Sequence, residues 1–186
     1  CVYQGTFNTA LIDMNKNANW RALYGVESED TRMRDIEFIL RFFALKSDLV
    51  LGKTEGKVSL KKFLNEKMAE FNSLPAIDIS TMKNNFFFFF FALFQTVGPE
   101  VFMNISEKEL LIQKFHPTVF DSIAIATDIA IAQGLHPSHF PDIKTRRIAL
   151  LKDISYKGFI KNETMTIEHI KGRVALAAKH LFNLSL

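Results

Sequence analysis

The stretch KNNFFFFFFALFQTVG, Lys83 to Gly98, carries six consecutive phenylalanines, Phe86 to Phe91. A membrane, a partner's surface or a protein core would each accept it. A membrane-spanning helix needs about 20 consecutive apolar residues. Here the apolar run ends at Phe94 and is bounded by Lys83, Asn84 and Asn85 before it and Gln95 after it, so no membrane partner is expected. Six successive rings on a helix point in every direction around its axis, and such a helix belongs at the centre of a domain with others packed on most sides. A flank left exposed would be an apolar patch suited to contact with another domain or chain. The same uncharged, β-prone segment would aggregate if taken out of its fold.

The sequence on either side supplies the surrounding helices, with apolar positions at three- and four-residue spacing and turn residues between them. FNTALIDMNKNANWRALYG predicts one or two short helices closed by Gly25. In DTRMRDIEFILRFFALK, Asp30 is the candidate N-cap, and Met33, Ile36, Ile39, Leu40 and Phe43 form the apolar face. SDLVLGKTEGK reads as a loop. VSLKKFLNEKMAEFN reads as a helix from Ser59, SLPAIDIS as a break, and the phenylalanine helix then runs to Gly98 and Pro99, where proline cannot continue it. SEKELLIQKF is expected to be helical, as is PTVFDSIAIATDIAIAQG, whose alanines and length outweigh its partial alternation. LHPSHFPD reads as a loop, and KTRRIALLKDISYKGFIK and TIEHIKGRVALAAKHLFNL complete the series. The expected fold is an all-α, multi-helix bundle around the phenylalanine-rich helix, with residues 1–186 as one domain.

The 186 residues are 48% hydrophobic and 23% charged, a balance that suits a folded globular domain. The net charge of +3 is too small to select a partner. The single cysteine, Cys1, allows no internal disulfide, and a reducing, cytoplasmic setting is expected. The chain opens with Cys1 rather than methionine and carries no signal-peptide pattern, so a fragment of a longer polypeptide is expected.

Few residues invite chemistry. Glu37 and Arg41 stand four apart in the acid-first order and are expected to form a structural ion pair among Phe38, Phe42 and Phe43. A protein that engages DNA must neutralise phosphates with basic side chains. The candidates are Arg32 and Arg34, Lys61 and Lys62, and the run Lys144, Arg146 and Arg147, with ordinary solvated faces as the competing reading. His136 and His139 are three apart in a proline-broken loop and read as surface residues, not metal ligands. The IEHI segment, Ile167 to Ile170, starts like an HNH nuclease motif but continues as helix without a second ligand set. No serine or cysteine nucleophile stands at motif spacing from a base, and neither a glycine-rich phosphate loop nor a dinucleotide fingerprint is present. The expectation for this chain is no catalytic residue, no metal ligand and no cofactor.

Six blocks carry a resemblance: VYQGTFN (Val2 to Asn8), NWRALYG (Asn19 to Gly25), RMRDIEFILRFFAL (Arg32 to Leu45), LKKFLNEKM (Leu60 to Met68), FDSIAIA (Phe120 to Ala126), and the segment ending in EHIKGR from Thr164 to Arg173. In this order they resemble the helical C-terminal half of the GmrSD-type restriction endonuclease N-terminal family. That family's preceding ParB/sulfiredoxin-like domain bears a DGQQR motif. The resemblance implies a parent protein that cleaves modified or foreign DNA in phage defence, using a nucleotide and a divalent metal, with its chemistry in the missing N-terminal domain. No DGQQR occurs here, so none of the family's catalytic residues carries over. The implied role is a helical module that engages DNA or couples to the catalytic domain. The alternative is a purely structural protein–protein interaction module, with self-association open in either case.

Overall fold

The computed structural model describes residues 5–46 and 56–186. Val2 to Gln4 of the first block and most of the loop expected at SDLVLGKTEGK lie outside them. Among the described residues the chain forms nine α-helices: α1 (Thr6–Asn15), α2 (Ala18–Tyr24), α3 (Arg34–Leu45), α4 (Leu60–Asn72), α5 (Ala76–Thr96), α6 (Pro117–Ala132), α7 (Ile143–Lys152), α8 (Ile154–Lys161) and α9 (Ile167–Phe182). Two 3₁₀ turns (Pro99–Phe102 and Pro137–His139) and one antiparallel hairpin, β1 (Met103–Ile105) with β2 (Leu111–Phe115), join them. The architecture is the expected multi-helix bundle.

Local chemistry sets most of the helix ends. Asn17 caps α2 by accepting from the Trp20 N–H at 3.1 Å, and Gly25 ends it in the left-handed conformation, φ 80°. The start of α1 is capped from a distance, because the Asn72 side chain, at the end of α4, accepts from the Phe7 and Asn8 N–H groups at 3.0 and 3.3 Å. Gly5 allows this approach, since a Cβ there would lie 2.2 Å from Asn72 Oδ1. Asp153 divides the KTRRIALLKDISYKGFIK segment into α7 and α8, accepting from the Tyr156 N–H at 2.9 Å.

Three boundaries differ from expectation. Asp30 does not cap α3, which starts at Arg34 after Met33 in the left-handed region. Its carboxylate instead closes its own turn, accepting from the Arg32 N–H at 2.8 Å and Arg34 Nε at 2.7 Å. Most of SLPAIDIS belongs to α5, because Pro75 fits just before a first helical turn and the break is confined to Ser73–Pro75. SEKELLIQKF is a turn followed by β2, not a helix. Leu110, Leu111 and Ile112 stay exposed, so this segment has no apolar stripe to lay on the core, and only Phe115 reaches inward to the rings of Tyr24, Phe38 and Phe120.

The phenylalanine helix divides its rings by angle. Phe86, Phe89, Phe90 and Leu93 are buried, whereas Phe88 and Phe91 are 56% and 50% exposed. Trp20 stands at the centre of the buried side with no exposed surface, its ring 5.3 Å from Phe90, 6.1 Å from Phe86 and 5.7 Å from Phe120. Mostly edge-on contacts of this kind suit the quadrupoles of aromatic rings. Among the described residues no helix is long and apolar enough to cross a membrane. Phe90→Ala should cost about 3–5 kcal/mol of unfolding free energy through loss of burial and the cavity left behind. Phe88→Ser should stay within about 0.5 kcal/mol of wild type. Denaturant titration of the two variants measures the difference.

Candidate functional site

The charged residues at the heart of the molecule form two buried networks. In the first, Asp121 on α6 is fully enclosed and accepts from Arg41 Nε at 2.8 Å and Arg41 Nη2 at 2.5 Å, a two-pronged contact from α3. Arg173 on α9 adds its Nη2 at 3.0 Å and gives its Nη1 to the Thr164 carbonyl at 2.6 Å. Its Nε is buried without a hydrogen-bond acceptor. Burial lowers the Arg173 pKa, and the Asp121 charge opposes that shift. The expected Glu37–Arg41 pair is therefore corrected. The i,i+4 spacing is present, but Glu37 is exposed and Arg41 turns inward to the carboxylate of another helix.

In the second network Asp35 receives the Asn15 amide at 3.0 Å, Arg21 Nη1 at 2.7 Å and the Asp30 N–H at 2.9 Å. Asn15 in turn accepts from Trp20 Nε1 at 3.0 Å, which ties the ion pair to the aromatic centre. Burial pushes the Asp35 pKa up, yet the hydrogen bonds from Asp30, Asn15, Arg21 and Ile36 hold it below the ordinary carboxylate value.

The basic candidates divide into buried and exposed. Arg147 is 2% exposed and donates to the carbonyls of Val101, Glu100 and Met103 at 2.9, 2.5 and 2.5 Å. It stitches the 3₁₀ turn and β1 onto α7, and burial brings its pKa down to about 10. Its reading as a DNA contact is overturned by this placement. Arg146 pairs with Asp142 at 2.8 Å and Asn183 at 2.9 Å while lying over the Phe140 ring. Arg34 is bound to Asp30, Lys62 stands 3.8 Å from Glu66 and Lys144 4.0 Å from Glu100, all three exposed. Arg32 and Lys61 are exposed, and Lys61 lines the same apolar groove as Met33, Ile36 and Leu64.

The histidines serve local structure. His136 and His139 cap the short 3₁₀ turn reciprocally, and His169 lies 2.7 Å from the Asn162 carbonyl through Nδ1. No group of three or more potential metal-ligating side chains occurs among the described residues. Ser122 is buried and bonded to Tyr156 at 2.6 Å, whose phenol pKa burial pushes up, so its hydroxyl faces no base.

Sequence reasoning missed Asp121, Arg173 and the burial of Arg147, although the spacing held a signal for each. Asp121 is one of two acids in an otherwise apolar and small-residue helix, and it stands beside Phe120 and Ser122 on the stretch that is buried throughout. Arg173 falls in step with Ile170, Val174 and Ala177, and Arg147 with Ile143, Leu150 and Leu151, so both ride the buried stripe of their helices. Compared with protein families, with curated proteins and with solved structures, the chain matches none.

Asp121→Asn, which leaves two buried guanidiniums without a carboxylate, should cost about 3–5 kcal/mol. Glu37→Ala should lie within about 0.5 kcal/mol of wild type, and chemical denaturation distinguishes the two. A second expectation concerns acid. Burial depresses the pKa of His116 below its ordinary 6.5, with Asp121 opposing and Lys114 adding to the effect. The unfolded chain thus takes up a proton that the folded chain refuses, so this contribution to stability is present above the unfolded value and is lost as pH falls through the folded one. Unfolding free energy should decline between about pH 7 and pH 5, and His116→Gln should flatten that part of the profile.

Proposed function

We propose that this chain is the helical coupling module of a GmrSD-like DNA-targeting protein, holding a catalytic domain in place and supplying no chemistry of its own. The observation that carries the reading is where the charged residues of the resembling blocks lie. Arg21 of NWRALYG binds Asp35 of RMRDIEFILRFFAL, and Asp121 of FDSIAIA binds both Arg41 of that same block and Arg173 of EHIKGR. Residues scattered over more than 150 positions therefore act as cross-links of a single scaffold. Gly5 of VYQGTFN, in close contact with Asn72, extends the same pattern to the first block.

Coupling is favoured over DNA reading because several of the basic candidates are committed to contacts within the chain. Arg147 is internal, and Arg34 and Arg146 are held by carboxylates. What remains, Arg32, Lys61 and the loosely paired Lys62 and Lys144, suits at most non-specific attraction to a polyanion.

The test is binding of the chain to plain and modified duplex DNA across a salt series, beside an Arg32→Ala, Lys61→Ala, Lys62→Ala variant, together with co-purification of a ParB/sulfiredoxin-like domain of the family. The coupling role predicts weak binding that disappears as salt rises, no preference for modified DNA, and stable association with the domain. Selective binding of modified DNA that the triple variant abolishes would make the chain a reader. Failure to associate with the domain would leave it a structural module for another protein, for which the exposed Phe88 and Phe91 offer a surface.

A further inference from the structure

We infer that the cavity between α3, α4 and α5 binds a small amphipathic carboxylate, with an apolar or aromatic body laid on phenylalanine rings and its anionic head at the ammonium of Lys67. The cavity has a volume of about 560 Å³, within the range of about 300–1,000 Å³ usual for small-molecule sites. Its apolar wall includes Phe42 and Phe89, which stack at 5.2 Å with 30° between their planes. Two cations and two carboxylates, Lys46, Lys67, Glu70 and Asp128, line it together with the Asn85 amide.

Lys67 gives the site its polarity. Its side chain is 5% exposed, whereas its partner Glu70, one turn further on and bound at 2.8 and 3.1 Å, is 54% exposed. An i,i+3 pair forms equally well in water and gains little there, so the pair itself does not require a buried ammonium. The amine is nonetheless held inside, 5.8 Å from the Phe71 ring centroid. Lys46 repeats the ring contact alone, its ammonium 4.7 Å from the Phe42 centroid and 5.3 Å from that of Phe43 with Asp128 at 3.0 Å, while its side chain is 29% exposed against 35% for Asp128.

At the Lys67–Glu70 pair the two signs of charge are therefore anchored differently. Both ammonium groups rest against ring faces, a favourable placement for cations, and at Lys67 the ammonium is closed off while its carboxylate partner keeps solvent beside it. An incoming carboxylate can displace Glu70 into water and take over an ammonium that is already stripped of most of its own hydration. A cation would have to draw Glu70 or Asp128 away from its lysine and leave that ammonium against the rings without a counter-charge. A neutral apolar molecule covers the rings but gains nothing from the ammonium. A polyanion would need more positive charge than two lysines with two acids nearby provide, which leaves a monoanion with an apolar body.

Met82 lines this cavity, and Met33 and Met68 line the separate groove between α1, α3 and α4. Methyl-labelled methionine therefore reports the two places independently by NMR. The protein is titrated with decanoate, 1-decanol and decyltrimethylammonium, each below the concentration at which it aggregates. Expected is a saturable shift of the Met82 methyl with decanoate, and binding at least tenfold weaker for the other two probes. Lys67→Met should weaken decanoate binding at least tenfold, and Glu70→Gln, which removes the competing carboxylate, should tighten it. The probe series on the unaltered protein stands even if a variant fails to fold. Equal binding of decanoate and decanol would overturn the assignment, as would shifts confined to Met33 and Met68 or the absence of any Met82 shift.

Discussion

The carboxylate of Asp121 sets the geometry on which the second half of the bundle rests, because two arginines from different helices converge on it beneath the surface. Arg41 arrives from α3 and Arg173 from α9, and the carboxylate belongs to α6, between them in sequence. A buried ion pair often adds little net stability over a well-packed apolar replacement. What it supplies here is position. A two-pronged guanidinium–carboxylate contact tolerates little rotation, so α3 has one rotational setting relative to α6. The Arg173 Nη1 contact with the Thr164 carbonyl then fixes the approach to α9 as well.

The first half of the chain is organised by an analogous device with a different outer layer. Asp35 gathers Arg21 and Asn15, and Asn15 passes the constraint to the indole of Trp20. The indole is walled by rings from α2, α5, α6 and β2. Polar and aromatic order are thus linked through one amide. The apolar cluster excludes water from the ion pair, and the ion pair fixes the orientation of the ring around which the cluster is built.

The helical class was legible because apolar residues recur at helical spacing throughout, and the short run of phenylalanines between polar flanks argued against a membrane span. The hairpin was not legible, since Leu110, Leu111 and Ile112 read as helix-compatible and only their exposure shows that no core claims them. The partner of Arg41 was equally hidden. Local spacing offered Glu37, while the residue that won lies 80 positions away, and periodicity carries no information about contacts between helices. Arg147 misled for a related reason. A cluster of basic letters suggests a surface, yet its place beside Ile143 and Leu150 on the inner stripe of α7 outweighs the cluster, because three carbonyl oxygens compensate the buried charge.

The identity of the six rings from Phe86 to Phe91 leaves this part of α5 degenerate. Turning the helix by one residue about its axis would put a phenylalanine wherever a phenylalanine already stood, so the run cannot by itself encode which rings face inward. That information resides in the residues flanking it. Ile79, Ala92 and Leu93 are buried, whereas Asn84, Asn85 and Gln95 lie on the outside. The most uniform segment of the protein thus takes its orientation from its least conspicuous neighbours, and an exchange of Leu93 with Gln95 would erase more of the fold's address than any single exchange within the run.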